Sequence, residues 1–158
     1  RLDVDFPQEV GTDRICNTAA AKNLIATPSI VGDIGSATNY DVIDEGGAFI
    51  GGSIAPGIEI AARNLFEKAA LLKETAFTMP KLVIGKDTAT NLQSGIMFGA
   101  IDFIDGMFKR IQIEAGWNDV NNIITGGFGK LISPHLKTNH ILLPELTLDG
   151  IRIIYGKQ

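Results

Sequence analysis

The stretch VGDIGSATNYDVIDEGGAFIGG, residues 31–52, places an aspartate, glycines and hydroxyl residues directly after a short apolar run. A turn rich in glycine and serine at the carboxyl end of a strand exposes backbone N–H groups that can bind phosphate. An aspartate such as Asp33 can hold a cation there, directly or through water. Because the chain has no Gly-Lys-Ser/Thr sequence, a phosphate site here would depend on metal ions and backbone dipoles. A plain strand and turn with a solvated Asp33 is the alternative.

Asp13 and Arg14 form a second group with chemical potential, in EVGTDRICN at the first turn of a predicted helix. The helix dipole favours a carboxylate at this end, which alone is a sufficient structural reason for Asp13. The same carboxylate can accept a proton from a hydroxyl during phosphoryl transfer, where orientation matters more than base strength. Arg14 can clamp a substrate carboxylate or amide. The structural and the catalytic interpretations both remain open at this point.

A third stretch, IITGGFGKLI, contains Gly126 and Gly127 after a predicted strand. This pair lets a flat ligand such as adenosine approach the backbone, although an ordinary strand–helix turn explains it equally well. His135 and His140 lack the partners of a zinc site and are interpreted as surface or capping residues. Cys16 is interpreted as a buried thiol within its helix.

The elements that must position these residues alternate in type, which predicts an α/β domain with parallel strands towards its end. Helices are predicted over residues 11–24, 58–72, 89–114, 128–136 and 146–156, the first with Thr12 as N-cap and the last with Gly156 as C-cap. Strands are predicted over residues 28–34, 38–44, 48–54, 120–127 and 139–144. A short glycine turn joins the second and third strands as a hairpin.

The longest predicted helix carries an apolar stripe at helical spacing. The stripe contains Met97, Ile101, Ile104, Phe108 and Ile111. Gly95 and Gly99 are expected to leave a smooth patch on the same stripe. Ordinary helix packing and a contact between subunits are both compatible with that patch.

The composition fits one globular domain with a real core, since the 158 residues are 45% hydrophobic and 20% charged. The formal net charge of −4 argues against a nucleic-acid-binding surface. The single cysteine allows no internal disulfide, which favours a reducing compartment. No apolar run approaches the roughly 18 residues that span a membrane, so no membrane association is expected. The chain begins without methionine, as if cut from a longer protein.

Six stretches, taken in order, resemble the type III pantothenate kinases. They are EVGTDRICN, VGDIGSATNYDVID, GGAFIGGSIAPGIE, VIGKDTATNLQSGIMFG, IITGGFGKLI and LTLDGIRIIYG. The resemblance implies an actin-like, sugar-kinase-like fold built from duplicated ribonuclease-H-like domains. It also implies transfer of the ATP γ-phosphoryl group to pantothenate, giving 4'-phosphopantothenate in the first step of coenzyme A biosynthesis. Family members are typically cytoplasmic homodimers that need a divalent metal, Mg²⁺, and a monovalent cation, K⁺ or NH₄⁺.

The resemblance also implies roles for individual residues. The pantothenate-binding residues would be Gly11, Thr12, Asp13, Arg14 and Thr88, with Asp13 as the proton acceptor. Asp33 would bind the monovalent cation. The ATP-binding residues would be Gly35, Ser36, Gly126 and Gly127. Ser36 replaces a residue that is commonly threonine, and its hydroxyl is expected to preserve the contact with ATP.

One part of the family pattern has no counterpart in this sequence, namely the Asp-x-Gly-Asn-Thr phosphate loop of the first half-domain. We therefore expect residues 1–28 to be the end of the interdomain helix region with the acceptor motif. Residues 29–158 would be the C-terminal ribonuclease-H-like domain, and the N-terminal half-domain would be absent. Such a fragment is expected to be inactive alone. The alternative to a kinase is a non-catalytic binding or regulatory relative with the same fold.

Overall fold

A computed structural model describes residues 1–69 and 72–156 of the chain. Its strands are β1 (Ser29–Ile34), β2 (Ala37–Ile43), β3 (Phe49–Pro56), β4 (Asn121–Thr125) and β5 (Ile141–Leu142). Its α-helices are α1 (Thr12–Leu24), α2 (Ile58–Lys68), α3 (Thr88–Ala115), α4 (Gly129–Ile132) and α5 (Leu146–Tyr155). Short 3-10 turns cover Pro7–Glu9 and Ser133–His135. None of the helices in the described ranges has the length and apolarity that crossing a bilayer requires.

The five strands form one mixed sheet in the order β3-β2-β1-β4-β5. β1 pairs antiparallel with β2, and β2 pairs antiparallel with β3, which confirms the predicted hairpin. On its other side β1 pairs parallel with β4, and β4 pairs parallel with β5. The α/β class and the parallel strands towards the chain end are therefore confirmed. Because β1 and β4 are parallel neighbours, their carboxyl ends lie at the same edge of the sheet.

Helices cover both faces of the sheet because β1 is apolar on both of its sides. Ile30 and Ile34 of β1 join the α3 residues Met97 and Phe108 in one buried cluster. Val31, between them in sequence, points to the other face. It packs there with Ala20 and Ala21 of α1 and with Ile43, Ile123 and Leu146. Thus α1 and α5 share one face, and α3 covers the opposite one.

Several predicted boundaries differ from the structure. Thr12 is not the N-cap of α1, since Gly11 holds that position and no side chain caps the first turn. The helix predicted to reach residue 72 ends at Lys68, where Ala69 turns to an extended conformation, and residues 70 and 71 lie outside the described residues. The predicted helix over 128–136 divides into α4 and a 3-10 turn, and the predicted strand 139–144 shortens to β5. Gly156 is the C-cap of α5, as predicted.

The glycine patch of α3 was wrongly placed by the helical pattern. The stripe itself is confirmed, because Met97, Ile101, Ile104 and Phe108 are all buried. Gly95 and Gly99, however, are exposed, and an added Cβ at either position would meet nothing within 4 Å. They therefore lie outside the buried stripe, and internal packing is not the reason for glycine there.

Candidate active site

Alternation along the strands directs a group of polar side chains towards α1. Asp33 of β1 lies on the Val31 side of the sheet, and Asp41 of β2 lies on the Ile43 side, which is the same face. Asp33 is directly opposite Asn39 in β2 and Thr125 in β4. The first two turns of α1 cover this part of the sheet, so its polar residues meet the strand carboxylates.

Arg14 points inwards and is held by β2. Its Nε donates to Oδ1 of Asp41 at 2.5 Å, and its Nη2 donates to the backbone oxygen of Tyr40 at 3.0 Å. The guanidinium also lies over the Phe49 ring, 5.0 Å from its centroid. Asp41 is fully buried, so this ion pair is screened little by water. Arg14 was predicted to bind substrate, but its Nε and Nη2 both donate hydrogen bonds to the protein itself.

Asn17 links the two strand carboxylates to α1. Its side-chain nitrogen donates to Oδ2 of Asp33 at 3.2 Å and lies 3.4 Å from Oδ2 of Asp41. The hydroxyl of Thr147, on α5, donates to the Oδ1 of Asn17 at 2.7 Å. One buried amide thus contacts both acids and the last helix.

Burial and a neighbouring carboxylate raise the pKa of both strand carboxylates. Burial raises the pKa of Asp33, and the Asp13 carboxylate adds to that effect, whereas the Asn17 hydrogen bond opposes it. Burial raises the pKa of Asp41 to about 6, although Arg14 and Asn17 both oppose the shift. For both acids, burial therefore raises the pKa more than the hydrogen-bond donors lower it. Perturbed pKa values of this kind are common at functional sites.

Asp13 lies at the exposed end of this cluster. Its Oδ1 accepts a hydrogen bond from the backbone N–H of Arg14 at 2.9 Å, so the carboxylate folds over the start of α1. Gly11 lies beside it, because a Cβ at Gly11 would come within 2.5 Å of that Oδ1. Gly11, Thr12 and Asp13 are all exposed, which leaves the carboxylate open to an incoming hydroxyl.

The predicted ATP-binding glycines gather at the common end of β1 and β4. Gly126 has a φ of +89°, and a Cβ there would lie 2.5 Å from Oδ1 of Asp33, so both conformation and space require glycine. Gly127 follows with open space around it. Gly35 and Ser36 form the β1–β2 turn at the same edge, and Ser36 is exposed. The structure therefore brings Asp33 and these four residues together.

Thr88 is not part of this group. It is the exposed first residue of α3, after the N-cap Asp87, whose side chain accepts from Thr90 N at 2.8 Å. Because α3 and α1 lie on opposite faces of the sheet, Thr88 is separated from Asp13. Within residues 1–69 and 72–156, no hydrogen bond or ion pair joins Thr88 to α1 or β1.

Four polar residues of the site were missed by reasoning from the sequence: Asn17, Asn39, Asp41 and Thr147. Asn17 follows Asp13 by four residues, a helical spacing that places both on one side of α1. Asp41 stands between apolar neighbours in a strand, where a charge needs a partner. Thr147 carried no signal, because 130 residues separate it from Asn17.

The remaining candidates have local roles. Cys16 is partly exposed rather than buried, and burial together with Asp13 raises the pKa of its thiol. His140 bonds Ser133 Oγ at 2.8 Å and the backbone oxygen of Thr138 at 2.7 Å, so it fastens the loop before β5. His135 is exposed at the end of a 3-10 turn. In the described part of the chain, no cluster of three or more His, Cys, Asp or Glu is arranged to hold a metal ion.

A family model for type III pantothenate kinase matches residues 1–110. The chain belongs to the type III pantothenate kinase family. It is 40% identical over 158 residues to a type III pantothenate kinase of Agathobacter rectalis, covering 100% of this chain and 61% of that protein. It is 44% identical over 154 residues to the type III pantothenate kinase of Frankia alni, covering 98% of this chain and 61% of the relative. The chain thus spans about three fifths of the length of these relatives.

Solved structures agree on the fold. A Campylobacter jejuni protein described as a conserved Baf family transcriptional activator superposes with a TM-score of 0.67 at 22% identity, covering 96% of this chain and 66% of that one. Component A of the Acidaminococcus fermentans (R)-2-hydroxyglutaryl-CoA dehydratase gives a TM-score of 0.50 at 16% identity, covering 87% of this chain and 64% of that one. With the strand order, these likenesses confirm the actin-like, ribonuclease-H-like fold expected for a type III pantothenate kinase.

Proposed function

We propose that this chain is part of an enzyme that transfers the γ-phosphoryl group of ATP to pantothenate, the first step of coenzyme A biosynthesis. Family membership supports the reaction. The observation that carries it is that Asn17, one helical turn after the exposed Asp13 on α1, donates to Asp33, with Gly126 against that same Asp33. An acceptor carboxylate therefore lies next to a glycine-lined edge suited to phosphate.

In the proposed reaction Asp13 accepts the proton of the pantothenate hydroxyl. The hydroxyl oxygen bonds to the γ-phosphorus of ATP, and the bond between that phosphorus and the ADP leaving group breaks. A loose transition state needs positioning more than a strong base, which a carboxylate on a rigid helix supplies. The exposed turns at Ser36 and Gly127 offer a hydroxyl and backbone N–H groups to the phosphates. Arg14, tied to Asp41, keeps the first turn of α1 on the sheet.

The residues around Asp33 fit a monovalent cation. Oδ1 of Asn39 is buried and has no hydrogen-bond partner in the described structure, and Asn39 is directly opposite Asp33. A carboxylate and an amide oxygen on neighbouring strands are ligands that hard cations prefer. Asp33 and Asn39 would hold K⁺ or NH₄⁺, whose charge would help neutralise the phosphates. Mg²⁺ would instead arrive with ATP, because it usually binds through substrate phosphates, waters and few carboxylates.

We further propose the domain arrangement expected from the sequence. Residues 1–28 would close an interdomain region and residues 29–158 would be the second of two half-domains. The relatives are longer than this chain, which supports a first half-domain that would form the other side of the ATP cleft. Phosphoryl transfer needs donor and acceptor in line, so residues 1–158 alone are expected to bind ATP weakly and to turn over no pantothenate.

A cytoplasmic location also stays a prediction.

A homodimer would account for the position of Thr88. Within one chain Thr88 lies on the face opposite to Asp13, so its proposed pantothenate contact needs a second subunit. The exposed Gly95 and Gly99 lie on the same helix, and Gly95 borders an apolar groove of about 460 Å³ between α2 and α3. Backbone can approach closely where glycines are exposed, which supports a contact through α3.

The decisive experiment follows labelled ATP and pantothenate to phosphopantothenate with the full-length protein. Asp13→Asn should lower turnover by about two to four orders of magnitude, the usual range for a positioned acid–base group. Asp119→Asn, an exposed aspartate in the turn before β4, is the matched control and should retain wild-type turnover. Wild-type protein that binds ATP without forming product would favour the non-catalytic relative. A variant at Asp13 within threefold of wild type would contradict its role.

A further inference from the structure

The orientation of the Asn17 amide is determined by a residue of the last helix. Asn17 is 1% exposed, so each polar atom of its side chain depends on a protein partner. Thr147 Oγ1 donates to the amide oxygen at 2.7 Å, which directs the NH₂ group to the carboxylates of Asp33 and Asp41. The reverse orientation would point the amide oxygen at both acids.

Thr147 is held rigidly against α1. A Cβ added at Gly150, three residues further along α5, would overlap the backbone carbonyl of Cys16. The two helices therefore touch backbone to backbone, and Leu146 of α5 is fully buried in the same apolar cluster as Ala20 and Ala21. This packing leaves the Thr147 hydroxyl little freedom to move away from Asn17.

We propose that Thr147 is a positioning residue of the phosphate edge: by fixing the Asn17 amide it keeps the Asp33 carboxylate in place beside Gly126. This inference rests on the proposed function. It gives α5 a part in the site although no residue of α5 would touch a substrate. The acceptor side depends less on Thr147, because Asp41 keeps its bond from Arg14 when its contact with Asn17 is lost, and Arg14 also bonds to Tyr40.

Replacing Thr147 by valine preserves the shape of the side chain but removes the donor. The Asn17 oxygen then loses its partner and the amide can turn, so Asp33 loses its donor for part of the time. In the full-length kinase, Thr147→Val should raise the KM for ATP and the half-activating K⁺ concentration about fivefold to tenfold, the effect of one hydrogen bond. The KM for pantothenate should stay within twofold of wild type.

Two further variants are the controls. Thr147→Ser keeps the hydroxyl and should restore both constants to within twofold of wild type. Leu148→Ala changes the neighbouring, 48% exposed residue of α5 and should change neither constant. Equal loss in Thr147→Val and Thr147→Ser, or a pantothenate KM that rises together with the ATP KM, would overturn the proposal.

A second measurement does not depend on activity. In protein labelled with ¹⁵N-asparagine, the Asn17 side-chain NH₂ signals, assigned by their loss in Asn17→Asp, should move in Thr147→Val and return in Thr147→Ser. Unmoved signals in Thr147→Val would overturn the positioning role even if the kinetics changed. If the wild type forms no phosphopantothenate, the proposed function fails, and the signals alone decide whether Thr147 orients Asn17.

Discussion

The pKa of a buried carboxylate is raised on one face of the sheet, whereas the pKa of a carboxylate on the other face is lowered. On the α1 face, burial raises the pKa of Asp41 to about 6 despite the bond from Arg14. On the α3 face, burial also acts to raise the pKa of Asp105. Two backbone N–H groups, of Lys137 at 3.0 Å and Thr138 at 2.9 Å, outweigh it, so that pKa is lowered. The difference shows that the balance between donors and burial, rather than the presence of a partner, sets the direction of the pKa shift.

The neighbourhoods of the two acids explain why the faces differ. Asp105 lies near the rim of an apolar face, where Tyr40 and Phe108 pack edge to face at 5.5 Å and need no charge. Asp41 and Asp33 share the Asn17 amide, whose two N–H groups leave one donor for each acid. On the α1 face, the carboxylates of Asp33 and Asp41 therefore have too few donors to offset their burial, and they lie where the proposed chemistry occurs. The α3 face is mainly apolar packing.

The largest expected difference between the two faces is in catalysis. Asp33→Ala in the full-length kinase should lower turnover by about 10²-fold, comparable to the loss of one electrostatic stabiliser, and abolish the response to potassium. Titration of K⁺ against Na⁺ measures this. Asp105→Asn, on the other face, should leave turnover and potassium response unchanged. If the wild-type rate is the same in K⁺, in Na⁺ and without either ion, a cation role for Asp33 is contradicted.

Asp41→Asn should have the largest effect on stability. It replaces one carboxyl oxygen by an NH₂ group, so either Arg14 or Asn17 loses its acceptor, and a buried donor left unpaired costs roughly 1–3 kcal/mol. Urea unfolding of the variant beside wild type measures the loss. Asp119→Asn should change the free energy of unfolding by less than about 0.5 kcal/mol. Equal stability of Asp41→Asn and wild type would show that the ion pair contributes nothing to stability.

The pH dependence of that loss has a definite sign. Because the folded pKa of Asp41 lies above the unfolded value of 3.8, the native state binds the proton more tightly. The contribution of Asp41 to stability is therefore full below about pH 4 and falls as pH rises towards 6. The difference in unfolding free energy between wild type and Asp41→Asn should shrink over that range. A difference that grows with pH would mean that Arg14 dominates over burial.

Asp105→Asn should give a smaller effect with the opposite sign. Its lowered pKa means that the stabilisation is present above the ordinary carboxyl pKa of 3.8 and is lost as pH falls below it. The bonds to Lys137 and Thr138 are partly exposed, so we expect a loss of about 1 kcal/mol at pH 7. The same urea titrations, repeated near pH 3, should show that the difference has largely disappeared. A constant difference at both pH values would contradict this.

The smallest effect on folding is expected on the outer surface of α3. Gly99→Phe meets open space, so it should change unfolding free energy by less than about 0.5 kcal/mol. If α3 is the proposed subunit contact, the same substitution should weaken dimerisation of the full-length kinase. Sedimentation velocity measures this, with Gly106→Phe, also open, as the control. An unchanged dimer would remove Gly99 from the interface.

Local pattern was sufficient to predict the type and order of the elements in this protein. The strand over Ser29–Ile34 and the stripe of α3 could be recognised because burial repeats along the chain with a period that each element imposes. The glycine turn after β4 could also be predicted, since few residues other than glycine tolerate that conformation. The order of the motifs was enough to indicate the family. Boundaries such as Gly11 and Lys68 failed, because caps and last turns depend on contacts outside the helix.

Only the tertiary structure decided which polar groups meet. Arg14 turns inwards to Asp41, 27 residues away, and Asn17 receives its bond from Thr147 across 130 residues. The helical pattern placed Gly99 on a packed stripe, whereas the fold leaves it exposed. Thr88 lies on the face opposite to Asp13. A periodic pattern specifies which side of an element is buried, but the partner of a buried polar group depends on how distant elements pack, and no local repeat encodes that packing.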